Sequence, residues 1–236
     1  MDFYATLGDP CAKRDILEQL FQSGMTGVRL NMSHTSLAQC APLLDGLYWP
    51  AARQAGRGDA HLILDLQGPE LRVGELPQPI PLREGLDILL GDGGIPVPQV
   101  ILKTARRGQQ ISIDDGALLL EVRRTSSTVL LCRVLQGGPL LSKKSLSLLG
   151  AEVDTPTLTP ADLDNLAQAG RFGVTHILQP FVRNRRDIDI LRQTLEGLGL
   201  GRVQVMAKIE EQQGLDHLDE IMAAADQVCI ARGDLG

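Results

Sequence analysis

The 236-residue sequence predicts an α/β fold, a parallel sheet or barrel interrupted by a small all-β domain. Short apolar runs alternate with helical periodicity up to Gly74. From Glu75 to about Leu149 the texture changes to short β-like runs punctuated by Gly and Pro. The alternation then returns and continues to Gly236. These observations predict an α/β domain from residues 1–74 and 150–236, with a β domain of residues 75–149 inserted into it.

The elements follow in order. FYATLG is strand-like and ends at Gly8. Residues 13–23 place Ile16, Leu17, Leu20 and Phe21 on one helical face. Val28 and Leu30 mark a second strand, and residues 36–55 a helical pattern broken by Pro42 and Pro50. HLILDLQG is a third strand. GLDILLGDGG, QQISIDDGALLLEVRR and STVLLCRVLQGG read as the β domain, and GDGGIP at 91–96 as a turn within it. Thr159-Pro160-Ala161-Asp162 starts a helix, with Thr as N-cap, Pro at the first position and an acid in the first turn. VTHILQPF, VQVMAKIE and QVCIARGD are the fourth to sixth strands, separated by helices over RDIDILRQTLEGLG and LDHLDEIMAAA.

Composition narrows the function. The apolar fraction is 43% with only 3% aromatics, so the core is aliphatic. A net charge of −6 argues against a nucleic-acid surface but permits a local basic pocket for a phosphorylated metabolite. Cys11, Cys40, Cys132 and Cys229 lack CxxC spacing and read as free thiols of a reducing compartment. No apolar run is long enough to span a membrane, and the N-terminus lacks a signal-peptide pattern, so a cytoplasmic location is expected.

Polar residues gather where strands end: Arg29, Asn31 and Ser33, then Asp65, Arg183, Lys208 with Glu210, and Arg232 with Asp234. In a parallel barrel those ends share one face, and that face carries the chemistry. Taken singly, Glu210 and Asp234 are ordinary solvated loop acids. Together they follow successive strands spaced about 4.8 Å apart, so both can reach one cation. Oxygen ligands without His or Cys favour Mg2+ or Mn2+. Lys208 lies two residues before Glu210 and therefore points the same way. An ammonium beside a metal carboxylate suits phosphoryl or enolate chemistry. Arg29 and Arg72 add guanidiniums, whose fork geometry suits phosphate. Asn31, Ser33 and Asp65 are oxygens for a monovalent cation or, more simply, ordinary loop hydrogen bonders. The sequence holds no Walker A motif, so a nucleotide is held some other way.

These residues resemble the pyruvate kinase family. RLNMSH (29–34), LDLQGPELRVG (64–74), IDDGALLLEV (113–122), SKKSLSLLGAEVDTPTLTPAD (142–162), PFVR (180–183), AKIEEQQG (207–214) and ARGDLG (231–236) resemble its motifs in order. The resemblance implies a (β/α)8 barrel with a β domain capping its active face. It implies transfer of phosphate from phosphoenolpyruvate to ADP, giving pyruvate and ATP, with Mg2+ or Mn2+ and K+. Lys208 and Arg29 would be catalytic. Arg29, Lys208, Gly233 and Asp234 would bind substrate, and Asn31, His34, Arg72 and Lys144 the nucleotide. Glu210 and Asp234 would hold the divalent metal. Asn31, Ser33, Asp65 and the Leu66 backbone would hold potassium, and Glu70 matches the potassium-dependent form.

Some positions depart from the family pattern. Leu66 stands for Thr, Gln67 for Lys, Thr35 for Gly, Pro180 for Ser and Glu211 for Asn, and SLSLLG for GVNLPG. None removes an implied metal ligand or the central lysine. The family continues past ARGDLG with two more barrel strands and a C-terminal domain. The expectation is therefore an incomplete barrel, as a fragment, a split enzyme or a short paralogue, partnered by a complementing chain or by its own copies. Two other readings are a non-catalytic phosphoenolpyruvate- and metal-binding protein, and a metal-dependent oxo-acid lyase or aldolase on the same barrel.

Overall fold

The computed structural model describes residues 1–33, 35–151 and 153–231. In chain order the strands are β1 (Tyr4–Thr6), β2 (Gly27–Asn31), β3 (His61–Asp65), β4 (Ile80–Leu82), β5 (Asp87–Gly91), β6 (Gln110–Ile113), β7 (Leu118–Thr125), β8 (Val129–Gln136), β9 (Gly138–Leu140), β10 (Leu146–Leu148), β11 (His176–Gln179), β12 (Gln204–Ile209) and β13 (Gln227–Ile230). The helices are α1 (Arg14–Gln22), α2 (Ala41–Leu43), α3 (Trp49–Gln54), α4 (Gln99–Thr104), α5 (Pro160–Ala169), α6 (Arg185–Gly197), α7 (Gln212–Asp216) and α8 (Leu218–Ala224). The chain divides into two compact units, Met1–Pro69 with the chain from Thr157 on, and Glu70–Pro156.

In the first unit six strands form one parallel sheet in the order β1-β2-β3-β11-β12-β13, which is also their chain order. This is the α/β wall of a TIM-type barrel. Alternation sets the two faces. Val28, Leu30, Leu62, Leu64, Ile177, Val205, Ala207 and Ile209 share one aliphatic cluster with helix residues Leu17, Phe21, Leu166, Ile188, Leu191 and Leu195. The intervening positions, including Arg29, Ile63, Asp65, Leu178, Met206 and Lys208, belong to the opposite face.

Two helical expectations are corrected. Pro42 and Pro50 do not break the segment around them; each occupies the first turn of a short helix, α2 and α3. A π-helical turn, Leu44–Tyr48, joins the two helices. The helix expected over 215–225 begins earlier and divides at His217, where φ is −109°. Gly214 presses its turn onto the Val182 carbonyl, which a Cβ would approach to 2.5 Å.

In the second unit the strands are antiparallel, in the order β10-β6-β7-β8-β5, with β4 and β9 as a separate pair. Leu90, Ile101, Ile111, Ile113, Leu120, Val122 and Leu130 fill its core. Burial pushes the Cys132 thiol up to about 12, so it is an inert core group. The glycine-rich 91–96 stretch is a turn: Gly91 has φ 101°, and a Cβ there would lie 2.2 Å from the Thr128 carbonyl oxygen. No helix among the described residues is long and apolar enough to cross a membrane.

Asp162 ties the first unit together. Its carboxylate accepts from Thr159 N and Oγ1 at 2.9 and 2.7 Å, completing a capping box on α5. The same carboxylate accepts from Gln67 N at 2.9 Å and Gly68 N at 3.2 Å, fixing the loop after β3. Asp162 is fully buried, so its removal orphans four donors. Asp162→Ala should lower unfolding stability by about 2–4 kcal/mol in urea titration. A loss below about 0.5 kcal/mol contradicts this anchoring role.

Candidate active site

The parallel register brings the C-terminal ends of β2, β3, β11 and β12 to one edge of the sheet. Asn31 lies opposite Asp65, and Asp65 opposite Leu178. Arg29 donates from Nε to Asp65 Oδ2 at 2.8 Å and from Nη1 to Thr6 Oγ1 at 3.1 Å. Its Nη2 also bonds Asp65, so one buried carboxylate holds the guanidinium by two donors. Asn31 Oδ1 accepts from Ser33 N at 2.9 Å, an Asx turn that orders the loop after β2.

Lys208 and Glu210 meet as their spacing predicts, with Nζ 2.5 Å from Oε1. Glu210 is buried, and its second oxygen accepts from Phe181 N at 2.8 Å. Phe181 has φ 52°, a left-handed backbone that a bulky residue adopts only when its surroundings demand it. That conformation aims the N–H at Glu210. The carboxylate is thus oriented from both sides before any ligand arrives. Sequence reasoning missed Phe181, because nothing in PFVR signals a positive φ.

Arg183 is bound inside the protein. Its N, Nε and Nη2 donate to Asp187 at 3.0, 3.0 and 2.8 Å. Thr157 Oγ1 adds a 2.6 Å bond to the same carboxylate. Gln179, fully buried beside them, donates to the Asp187 carbonyl, while its Oε1 has no partner among the described residues.

In the second unit, Arg72 and Lys144 lie on adjoining backbone, Val73 N donating to the Lys144 carbonyl at 2.9 Å. Arg72 pairs with Glu70, and its Nη1 donates to the Lys143 carbonyl at 2.7 Å. Lys144 pairs with Asp114 at 2.8 Å. His34, Gly233 and Asp234 lie outside the described residues. Among the described residues no three His, Cys, Asp or Glu side chains gather as a metal site. Leu66 N donates to the Leu178 carbonyl at 3.0 Å, which ties the loop after β3 to the neighbouring strand.

Burial alone would raise the pKa of Asp187, but the bonds from Arg183 and Thr157 outweigh it and hold the carboxyl below its ordinary value. A depressed folded-state pKa gives stability that is present above the unfolded value, about 3.9, and lost as pH falls through the folded one. The stability gap between the unmodified chain and Asp187→Asn should be full at neutral pH and close below about pH 4. Urea midpoints across pH measure it, and a gap that widens on acidification contradicts the ion pair.

The barrel-domain model of the pyruvate kinase family matches residues 2–236. Pyruvate kinase of Aeropyrum pernix is 33% identical over 235 residues, covering 98% of this chain and 51% of that protein. Pyruvate kinase of Geobacillus stearothermophilus is 33% identical over 242 residues, covering 98% and 41%. Pyruvate kinase of Agrobacterium vitis is 34% identical over 242 residues, covering 98% and 49%. The chain spans about half the length of the curated relatives it matches. On the sheet topology and the match across nearly its whole length, the chain belongs to the pyruvate kinase family.

Proposed function

We propose that this chain carries the phosphoryl-transfer site for moving phosphate from phosphoenolpyruvate to ADP, with pyruvate and ATP as products. The observation that carries the reading is Glu210, a buried carboxylate oriented by Phe181 N–H and Lys208 at the end of a parallel strand. Its hard oxygens fit Mg2+ or Mn2+, and Asp234 is the proposed second ligand. Such a cation, when bound, neutralises charge on the transferring oxygens.

The chain's own groups do the rest. The Lys208 ammonium sits beside the carboxylate, where it stabilises negative charge developing on the phosphoryl group and the enolate oxygen. Arg29 presents its remaining N–H to a phosphate while Asp65 keeps the guanidinium plane fixed. The Gly233 backbone is proposed to meet the substrate carboxylate. Asn31, Ser33, Asp65 and the Leu66 backbone are proposed to hold K+, whose hard oxygen preference they fit. Asn31, His34, Arg72 and Lys144 are proposed nucleotide contacts. Family membership and the names of the relatives support this reading. The proposed partner is a complementing chain or further copies of this one.

A coupled pyruvate assay with Mg2+ and K+ tests it. Lys208→Met should lower turnover by about 10²-fold or more, with stability retained. Unchanged turnover would falsify the role of the lysine. Phosphoenolpyruvate bound with Mg2+ but never consumed would identify a binding protein instead, and oxo-acid cleavage without ADP a lyase.

A further inference from the structure

A second polar cluster lies at the other end of the same sheet. Tyr4, His61, His176, Gln204 and Gln227 open β1, β3, β11, β12 and β13. Barrel interiors are usually filled by Val, Ile and Leu, so two imidazoles here are unusual. Gly27 makes room for them: it is paired with both Tyr4 and His61, and a Cβ there would lie 2.7 Å from the His61 Cβ. The Tyr4 ring reaches across that gap and stacks on His61, centroids 5.9 Å apart, with its hydroxyl 2.9 Å from Nδ1. His176 follows, 4.6 Å from His61 between ring centroids, with its Nδ1 2.8 Å from Thr175 Oγ1. Both Nδ1 atoms are therefore engaged, and Nε2 is the atom each ring has left for a ligand.

His61 and His176 border an open cavity of about 670 Å³ that Thr175, Arg202, Gln204 and Gln227 also line. That volume suits a small metabolite. Arg202 is exposed, and no ion pair to it is found among the described residues. Among the described residues no carboxylate lines the cavity. The acids that act on His176 are Asp2 and Asp226. Asp226 is committed to Arg192 at 3.1 Å and to Val205 N at 2.7 Å, and Asp2 accepts from Thr26 Oγ1 at 3.3 Å. One fixed cation and neutral amides, with no carboxylate among the described lining residues, suit an anion better than a metal ion.

We propose that this cavity binds a small oxyanion, the phosphate or carboxylate group of a metabolite, through Arg202 and the imidazoles of His61 and His176. The site is separate from Lys208 and Glu210. Gln204 precedes Lys208 by four residues on β12, about 13 Å along the strand at ~3.3 Å per residue. Burial, then the neighbouring His61, holds the His176 ring below its ordinary pKa, so it is neutral near pH 7. A bound anion favours the charged ring. Binding therefore takes up a proton and strengthens as pH falls.

Isothermal titration of the chain with sodium sulfate and with sodium succinate, at constant ionic strength, tests the proposal. Sulfate keeps its charge throughout the range. Saturable binding at one site is expected, with affinity rising by up to about tenfold per pH unit between about pH 8 and pH 6. Arg202→Ala should weaken it about tenfold or more, while Arg186→Ala, a change at an exposed arginine elsewhere, leaves it unchanged. Binding of sulfate alone identifies a phosphoryl site, and binding of succinate alone a carboxylate site. Binding of neither, pH-independent binding, or binding indifferent to Arg202→Ala overturns the proposal.

Discussion

Parallel pairing in chain order sends every strand's C-terminal end to one edge of the sheet, and the polar layout follows from that constraint. Asn31, Asp65 and the Lys208–Glu210 pair lie far apart in sequence yet share one edge because β2, β3, β11 and β12 run the same way. The opposite ends converge for the same reason, which is why Tyr4, His61 and His176 stack. The aliphatic cluster between sheet and helices holds the register, since a one-residue slip would turn Lys208 into the core and Ile209 out of it.

Fixed carboxylates then do the local work. Asp162 joins the start of α5 to the loop after β3. Asp65 holds Arg29, and Asp187 holds Arg183. Glu210 is held in turn by a lysine and a backbone N–H. Each buried charge is compensated by at least two donors, the condition under which a carboxylate survives burial. The result is a set of rigid groups at the sheet edge, which suits transition-state stabilisation because little reorganisation is left to do.

Much of this was legible in the sequence. Strand alternation placed Lys208 beside Glu210, and Thr159-Pro160-Ala161-Asp162 announced its helix. Other features were not. The second role of Asp162, as acceptor for Gln67 and Gly68, depends on a tertiary approach across about 95 residues that no local pattern encodes. The left-handed Phe181 contradicts the propensity of its residue type, so only the surrounding structure reveals it. Pro42 and Pro50 read as helix breaks because a π-helical turn is too rare to expect. The imidazole pair escaped notice because His61 and His176 sit in apolar strand patterns and meet only across β3 and β11.

Glu210, oriented by Lys208 and Phe181, is proposed as a metal carboxylate. Electron paramagnetic resonance of Mn2+ titrated into the chain, with and without phosphoenolpyruvate, tests it most directly. Saturable Mn2+ binding is expected, weakened about tenfold or more by Glu210→Gln while the fold is retained. Equal Mn2+ binding by the unmodified chain and Glu210→Gln would contradict it.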